Sequence, residues 1–205
     1  HPHPDHAGGL RAVGNAIRVK QLWWAGDRAG ALVDALIDGV EELTSAPQLV
    51  GRFHVGDDTV DVLAPAPPER TPTYPELHAN DNSLVLRVCE GGASTAGCVL
   101  FPGDIERWGE EFLVEQNDAT RLHSLVVKAP HHGSKTSSSP AFVAATGARQ
   151  VVLCTGRHNT FGFPDQNVVE RWRKSGARVW NTAEQGEITM WIDGDNVVVK
   201  GFRDG

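Results

Sequence analysis

Apolar and polar positions alternate with strand-like spacing over Ile17 to Lys20, Leu49 to Val55, Thr59 to Leu63 and Ser83 to Val88. The same reading holds for Cys98 to Phe101, Leu125 to Ala129 and Gln150 to Cys154, and then around Arg178 to Asn181 and Glu187 to Ile192. Gly56-Asp57-Asp58 and Gly194-Asp195-Asn196 are hairpin signals between neighbouring runs. The spacing becomes helical over Gly30 to Leu43, where Leu32, Val33, Leu36, Ile37 and Val40 fall on one face. Helical stretches are also predicted near Glu106 to Asn117, Pro140 to Ala145 and Gln166 to Ser175. Strands joined by helical crossovers predict layers of α and β. Five prolines between Pro65 and Pro75 predict a surface loop, and no internal repeat or low-complexity segment interrupts the chain.

With 205 residues the chain suits one domain and is too short for two catalytic domains with full cores. About half of it is apolar once the 22 glycines join the 40% hydrophobic set, which excludes disorder as the main state. No apolar run approaches the roughly 18 residues of a membrane helix. The opening His1-Pro2-His3-Pro4 has neither the basic nor the apolar region of a signal peptide. The fragment itself is therefore expected to be soluble, with no membrane contact of its own. Acidic residues outnumber basic ones 26 to 19, for a net charge of −7, so the surface as a whole does not attract a nucleic-acid backbone. Cys89, Cys98 and Cys154 match no zinc ribbon or CxxC spacing. Cys89 and Cys98 flank a Gly-rich turn, and two ordinary strand cysteines are favoured there over a disulfide, leaving the compartment open.

Histidine changes the picture. Three of nine histidines lie in the first six residues, as His1, His3 and His6 around Asp5, in the pattern H-x-H-x-D-H followed by Ala7-Gly8-Gly9. In an extended turn the side chains at positions 1 and 3 face one way and Asp5 and His6 lie beyond the bend, so one short loop can seed two groups of metal ligands. Imidazoles suit zinc, and the added carboxylate makes manganese or iron acceptable. Interleaved prolines and the aspartate argue against an affinity tag. Phe101-Pro102-Gly103-Asp104 and Pro130-His131-His132-Gly133-Ser134 each follow an apolar strand, where loop side chains reach a cleft. Asn80-Asp81-Asn82-Ser83 reads equally well as a turn, and Gly156 to Pro164 is a glycine-punctuated loop between a strand and a helix.

Taken together, H-P-H-P-D-H-A-G-G, N-D-N-S-L-V-L, L-F-P-G-D, V-K-A-P-H-H-G-S-K-T-S and G-R-H-N-T-F-G-F-P resemble the metallo-β-lactamase-fold domain at the C-terminal end of the ComEC competence family. The resemblance runs over nearly all of residues 1–205, taken as a single hydrolase domain. It implies the αββα sandwich with two divalent metal ions, Zn or Mn, and a phosphodiesterase acting on DNA during uptake, with single-stranded DNA as the expected partner. It also implies a parent membrane channel domain and a place on the extracytoplasmic face of the cell membrane. The family's first strands, ahead of the histidine cluster, are absent here, and Pro164-Asp165-Gln166 stands where Pro-His-Pro is common. Carried over by position, His1 and His3 hold one metal, Asp5 and His6 the other, and Asp104 bridges both. His132 is favoured as the remaining ligand and His131 as a phosphate or leaving-group contact, an order that the sequence leaves open. Asp81 takes the place of another family histidine as an oxygen ligand to the first metal.

In that scheme Asp5 or Asp104 orients a hydroxide held between the metals. Ser134, Lys135 and Thr136 are expected to bind phosphate oxygens, with Asn159 as a weaker candidate. Rival readings keep the fold but hydrolyse a phosphocholine ester, thioester or lactam, or make the domain an inactive guide for DNA. An acidic domain with few cations near its motifs, among them Lys128, Lys135 and Arg157, should bind DNA weakly without divalent metal. Titrations of single-stranded DNA at increasing salt should return a shallow slope; a steep slope and tight metal-independent binding would reveal an extended basic groove instead.

Overall fold

The computed structural model describes residues 3–25, 40–45, 49–65, 80–91 and 97–203. Within them the chain is α/β, with a mixed seven-stranded sheet flanked by helices. The sheet runs in sequence order: β3 (Gly51–Val55), β4 (Asp58–Ala64), β5 (Val85–Cys89), β6 (Cys98–Phe101), β7 (Val126–Lys128), β8 (Gln150–Leu153) and β9 (Arg178–Asn181). Its first four strands pair antiparallel, β3 and β4 through a tight turn at 56–57, and β6 to β9 pair parallel because helices carry the chain back between them. Those helices are α3 (Arg107–Gln116), α4 (Ala119–Leu122), α5 (Pro140–Thr146) and α6 (Gln166–Lys174). Leu113, Phe142 and Trp172 from three of them meet Leu100, Val127, Val151 and Leu153 of the sheet in one core. The strands and helices predicted across 98–193 lie within about two residues of those observed, with β10 (Ile188–Asp193) and β11 (Asn196–Gly201) forming the last hairpin.

In the first half β3, β4 and β5 fall on the strands expected over 49–55, 59–63 and 83–88, and the departures lie elsewhere. Asp5 and His6 lie in a helical turn, α1 (Pro4–Ala7), entered from an extended His3 whose carbonyl accepts from His6 N and Ala7 N at 3.0 and 2.9 Å. Another short helix, α2 (Leu10–Ala16), precedes β1 (Val19–Trp24) and was not signalled by periodicity. The helix expected over Gly30 to Leu43 falls mostly outside the described residues, and its end is corrected: β2 (Val40–Ser45) pairs parallel with β1. The proline-rich 66–79 also lies outside the described residues, as does His1. Cys89 and Cys98, opposite one another on β5 and β6, are joined by a disulfide, which corrects the reading of two separate thiols.

One buried acid shapes the segment after β7. Glu110 of α3 is fully buried and accepts the backbone N–H groups of Ser138 and Ser139, the latter at 2.7 Å. Ser138 has a positive φ of 57°, and Trp172 Nε1 donates to its hydroxyl at 3.1 Å, while Arg171 donates to its carbonyl. Together these bonds hold the return from residues 130–133 into α5. Burial pushes the Glu110 carboxyl up to about 7, against the pull of the Ser139 and Ser138 donors and the Arg171 charge. The folded chain therefore binds this proton more tightly than the unfolded one, whose glutamate titrates near ~4.3. Relative to Glu110→Gln, wild-type stability should fall as pH rises from ~4.3 through the folded value of about 7 and stay level above it. Denaturant unfolding of both proteins across that range measures the difference; a constant difference would mean that Glu110 stays ionised.

Candidate metal centre

Asp104 sits just past β6, and two neighbours fix it there. Gly103 has φ +61°, and a Cβ on it would meet Ser83 Cβ at 2.6 Å, so only glycine lets the turn close against Ser83. The Asp104 N–H then donates to Ser83 Oγ at 3.0 Å. Lys128, the last residue of β7, donates to Gly103 O at 2.8 Å and to Asp104 Oδ1 at 2.9 Å. The carboxylate is 2% exposed. Burial alone would raise its pKa, but His132, His6 and the Lys128 charge hold it well below the usual carboxylate range.

The second loop starts where β7 ends. Pro130–Gly133 forms a tight turn in which His131 (φ 43°) and His132 (φ 56°) both occupy the left-handed region, a costly conformation for residues with a Cβ. His132 Nδ1 is 2.8 Å from Cys154 O. A carbonyl only accepts, so Nδ1 carries a proton, and Nε2 is the nitrogen that presents a lone pair when the ring is neutral. Nε2 lies 3.2 Å from Asp104 Oδ2 and 3.2 Å from Asp5 Oδ2, buried and without an aligned hydrogen bond to either. Asp104 raises the His132 pKa, against the effect of burial.

The third contribution comes from α1. His6 Nε2 reaches to 3.0 Å from Asp104 Oδ2 and 3.7 Å from Asp5 Oδ2. Asp5, His6, Asp104 and His132 thus each offer a ligand atom, all within 4.8 Å of one another. Donors bound about 2.0–2.2 Å from one cation stand roughly 3.0–3.5 Å apart, so these separations suit a divalent ion with mixed nitrogen and oxygen ligands. The misaligned His132 Nε2 points the same way, since it is aimed between two oxygens rather than at either. In this arrangement Lys128 takes Asp104 Oδ1, leaving Oδ2 to face the group.

The other expected site residues divide. His3 and His131 line a cavity of about 580 Å³ together with Asp5, Asp104 and His132, and His3 stands outside the group of four ligand atoms. Asp81 is elsewhere: its Oδ1 accepts from Glu106 N and Gly109 N at 2.8 and 2.9 Å, satisfying the N–H groups at the start of α3. Ser134, Lys135 and Thr136 do not line the cleft. The Ser134 and Thr136 hydroxyls lie 2.8 Å from each other, Thr136 donates to Glu106 at 2.9 Å, and Lys135 is exposed. Asn159 lines the cleft, but its amide is spent on its own loop, donating to Gly156 O and Phe163 O and accepting from Phe163 N. Glu106 escaped the sequence reading. Its Oε1 stands 2.8 Å from His131 Nδ1, an ion-pair separation short of an aligned hydrogen bond, and also accepts from Asn80 Nδ2 at 3.3 Å. Its position two residues beyond Asp104, at the start of a helix, was the available signal.

No family model matches the chain. Among curated proteins it is 29% identical over 203 residues to "Competence protein ComA" of Neisseria gonorrhoeae, covering 99% of this chain and 26% of that one. "ComE operon protein 3" of Bacillus subtilis is 29% identical over 136 residues, 66% of this chain and 16% of the relative. "Recombination protein 2" of Haemophilus influenzae is 30% identical over 125 residues, 60% and 15% respectively. The chain spans about a quarter or less of the length of these relatives. The similarities support a relation to the ComEC family.

Calorimetric titration with Mn²⁺ or Zn²⁺ separates the ligands from their neighbours. His132→Ala and Asp104→Asn should cost more than the roughly 10–100-fold in affinity that loss of a supporting partner costs. Asp81→Ala should leave affinity unchanged and lower stability by about 1 kcal/mol, the cost of a lost helix cap. A loss of metal in Asp81→Ala equal to that in His132→Ala would put Asp81 back among the ligands.

Proposed function

We propose that the chain is a metal-dependent phosphodiesterase of the metallo-β-lactamase fold, acting on DNA during uptake by a ComEC-type competence protein. One observation carries the reading: four ligand atoms from three separate segments converge at one point, with His131 beside them in the same cleft and outside the ligand group. A divalent cation held at that point would lower the pKa of water and neutralise charge on phosphoryl oxygens. Asp5 and Asp104 hold their carboxylates toward it, His132 is oriented by the Cys154 carbonyl, and His6 by the turn of α1. His131 lines the same cleft with its Nδ1 2.8 Å from Glu106 Oε1, and we assign it as the contact for a phosphoryl oxygen or the leaving oxygen, a role that needs a proton on Nε2.

The relatives' names include competence and recombination proteins, and the motifs resemble the DNA-uptake family, so DNA is the substrate we assign. His1 and His3, with Asp104, would hold a second metal. The Cys89–Cys98 disulfide suits an oxidising compartment and supports a place on the extracytoplasmic side of the membrane, beside the parent channel domain. Among the described residues no helix is long and apolar enough to cross a membrane.

Cleavage of end-labelled single-stranded DNA with Mn²⁺, Zn²⁺ or chelator is the direct test. Activity should require metal, and His131→Ala should lose about 10²–10⁴ in kcat while binding metal as the wild type does. A metal-loaded protein that leaves DNA intact would support an inactive guide, and turnover of a thioester or lactam instead would assign another bond.

A further inference from the structure

The proposed hydrolase uses the floor of the cleft and leaves one wall unexplained. Phe163 stacks on His132 with ring centroids 6.2 Å apart and planes 18° apart, and Phe161 stacks on Phe163 at 5.7 Å with the same 18°. The rings form a ladder that begins on a metal-ligand candidate and ends at Phe161, which is 77% exposed. A single exposed phenylalanine is ordinary on a protein surface, but this one is held in place. Asn159 ties the loop with three hydrogen bonds to Gly156 and Phe163, and Gly162 takes a φ of +73° between the two phenylalanines. Exposed Arg157 and His158 stand on the same loop, which adds basic groups to an otherwise acidic chain.

The open face of such a ladder accepts a flat, ring-sized, weakly polar group, offset and parallel to the ring below it. Its occupant must also bring a phosphodiester to the ligand group at the other end, with negative charge toward Arg157. We propose that Phe161 is the stacking platform for an unpaired nucleobase, so that the cleft takes a single strand and seats the adjoining phosphate over Asp5, His6, Asp104 and His132. A base inside a duplex has both faces covered and cannot occupy the platform without leaving its stack. Aromatic rings read any base by its π-face, so the platform confers strand preference without sequence preference. The seating of the phosphate rests on the hydrolase reading; the stacking does not.

Fluorescence anisotropy with phosphorothioate-linked strands and Mn²⁺ tests the platform. The probes are a short oligothymidylate, an abasic strand with the same number of phosphates, and a closed hairpin duplex. Wild type should bind the oligothymidylate about tenfold or more tightly than the abasic strand. Phe161→Ala should erase that preference while melting at the wild-type temperature, Phe161→Trp should keep it, and hairpin binding should be indifferent to both changes. Equal wild-type affinity for the base-bearing and abasic strands, or a preference that survives in Phe161→Ala, overturns the proposal. Cleavage measured in parallel separates the two ideas. A wild type that cleaves without base preference loses the platform and keeps the hydrolase, and one that prefers bases without cleaving loses the hydrolase and keeps the platform.

Discussion

A carboxylate taken out of water must be met by cations and donors from several directions, and Asp104 imposes that demand on three distant parts of the chain. Ser83 supplies a hydroxyl behind its backbone, Lys128 a charge from the neighbouring strand, and His6 and His132 ring nitrogens on the open side. Because β6 and β7 are parallel neighbours, their C-terminal ends emerge side by side, and the loops carrying Asp104 and His132 are brought together by sheet pairing. The histidine-rich start of the chain then needs only one helical turn to place Asp5 and His6 over the same oxygen.

The second half of the fold was legible because its strands are short apolar runs separated by amphipathic helices, each punctuated by glycine or proline. Arg178–Asn181 is matched residue for residue, and α3 differs from its predicted span by one residue at either end. Val40 to Leu43 was misread because a few β-branched and leucine positions satisfy a helical spacing when continued from an upstream pattern, while pairing with β1 is a tertiary choice that periodicity does not contain. The disulfide was missed for a similar reason: only the register that sets Cys89 opposite Cys98 separates a bridge from two strand cysteines.

The convergence of Asp5, His6, Asp104 and His132, part of the expected ligand set, could be read from residue type and order, but polar residues with two plausible uses could not. Asp81, Ser134, Thr136 and Asn159 all look like substrate or metal groups in sequence, yet each spends its hydrogen-bonding capacity on backbone or on a neighbouring side chain. Asx and Ser/Thr side chains compete locally for backbone groups, and one-dimensional spacing cannot say which use prevails. Glu106 is the converse case, a residue that looks like an ordinary helix opener and turns out to face His131.

The contact between Lys128 and Asp104 bears on the order of events in the life of the chain. Small metal-built domains often have no folded state before their ion arrives, because like charges and unsatisfied ligands keep the site apart. Here the acid at the centre already has an internal countercharge, 2.9 Å away on the adjacent strand, and the core beneath both groups is built of apolar side chains rather than of the candidate ligands. If the cluster holds an ion, assembly would therefore precede loading: the scaffold does not wait for the metal, and a chelator would empty the site without dismantling the fold.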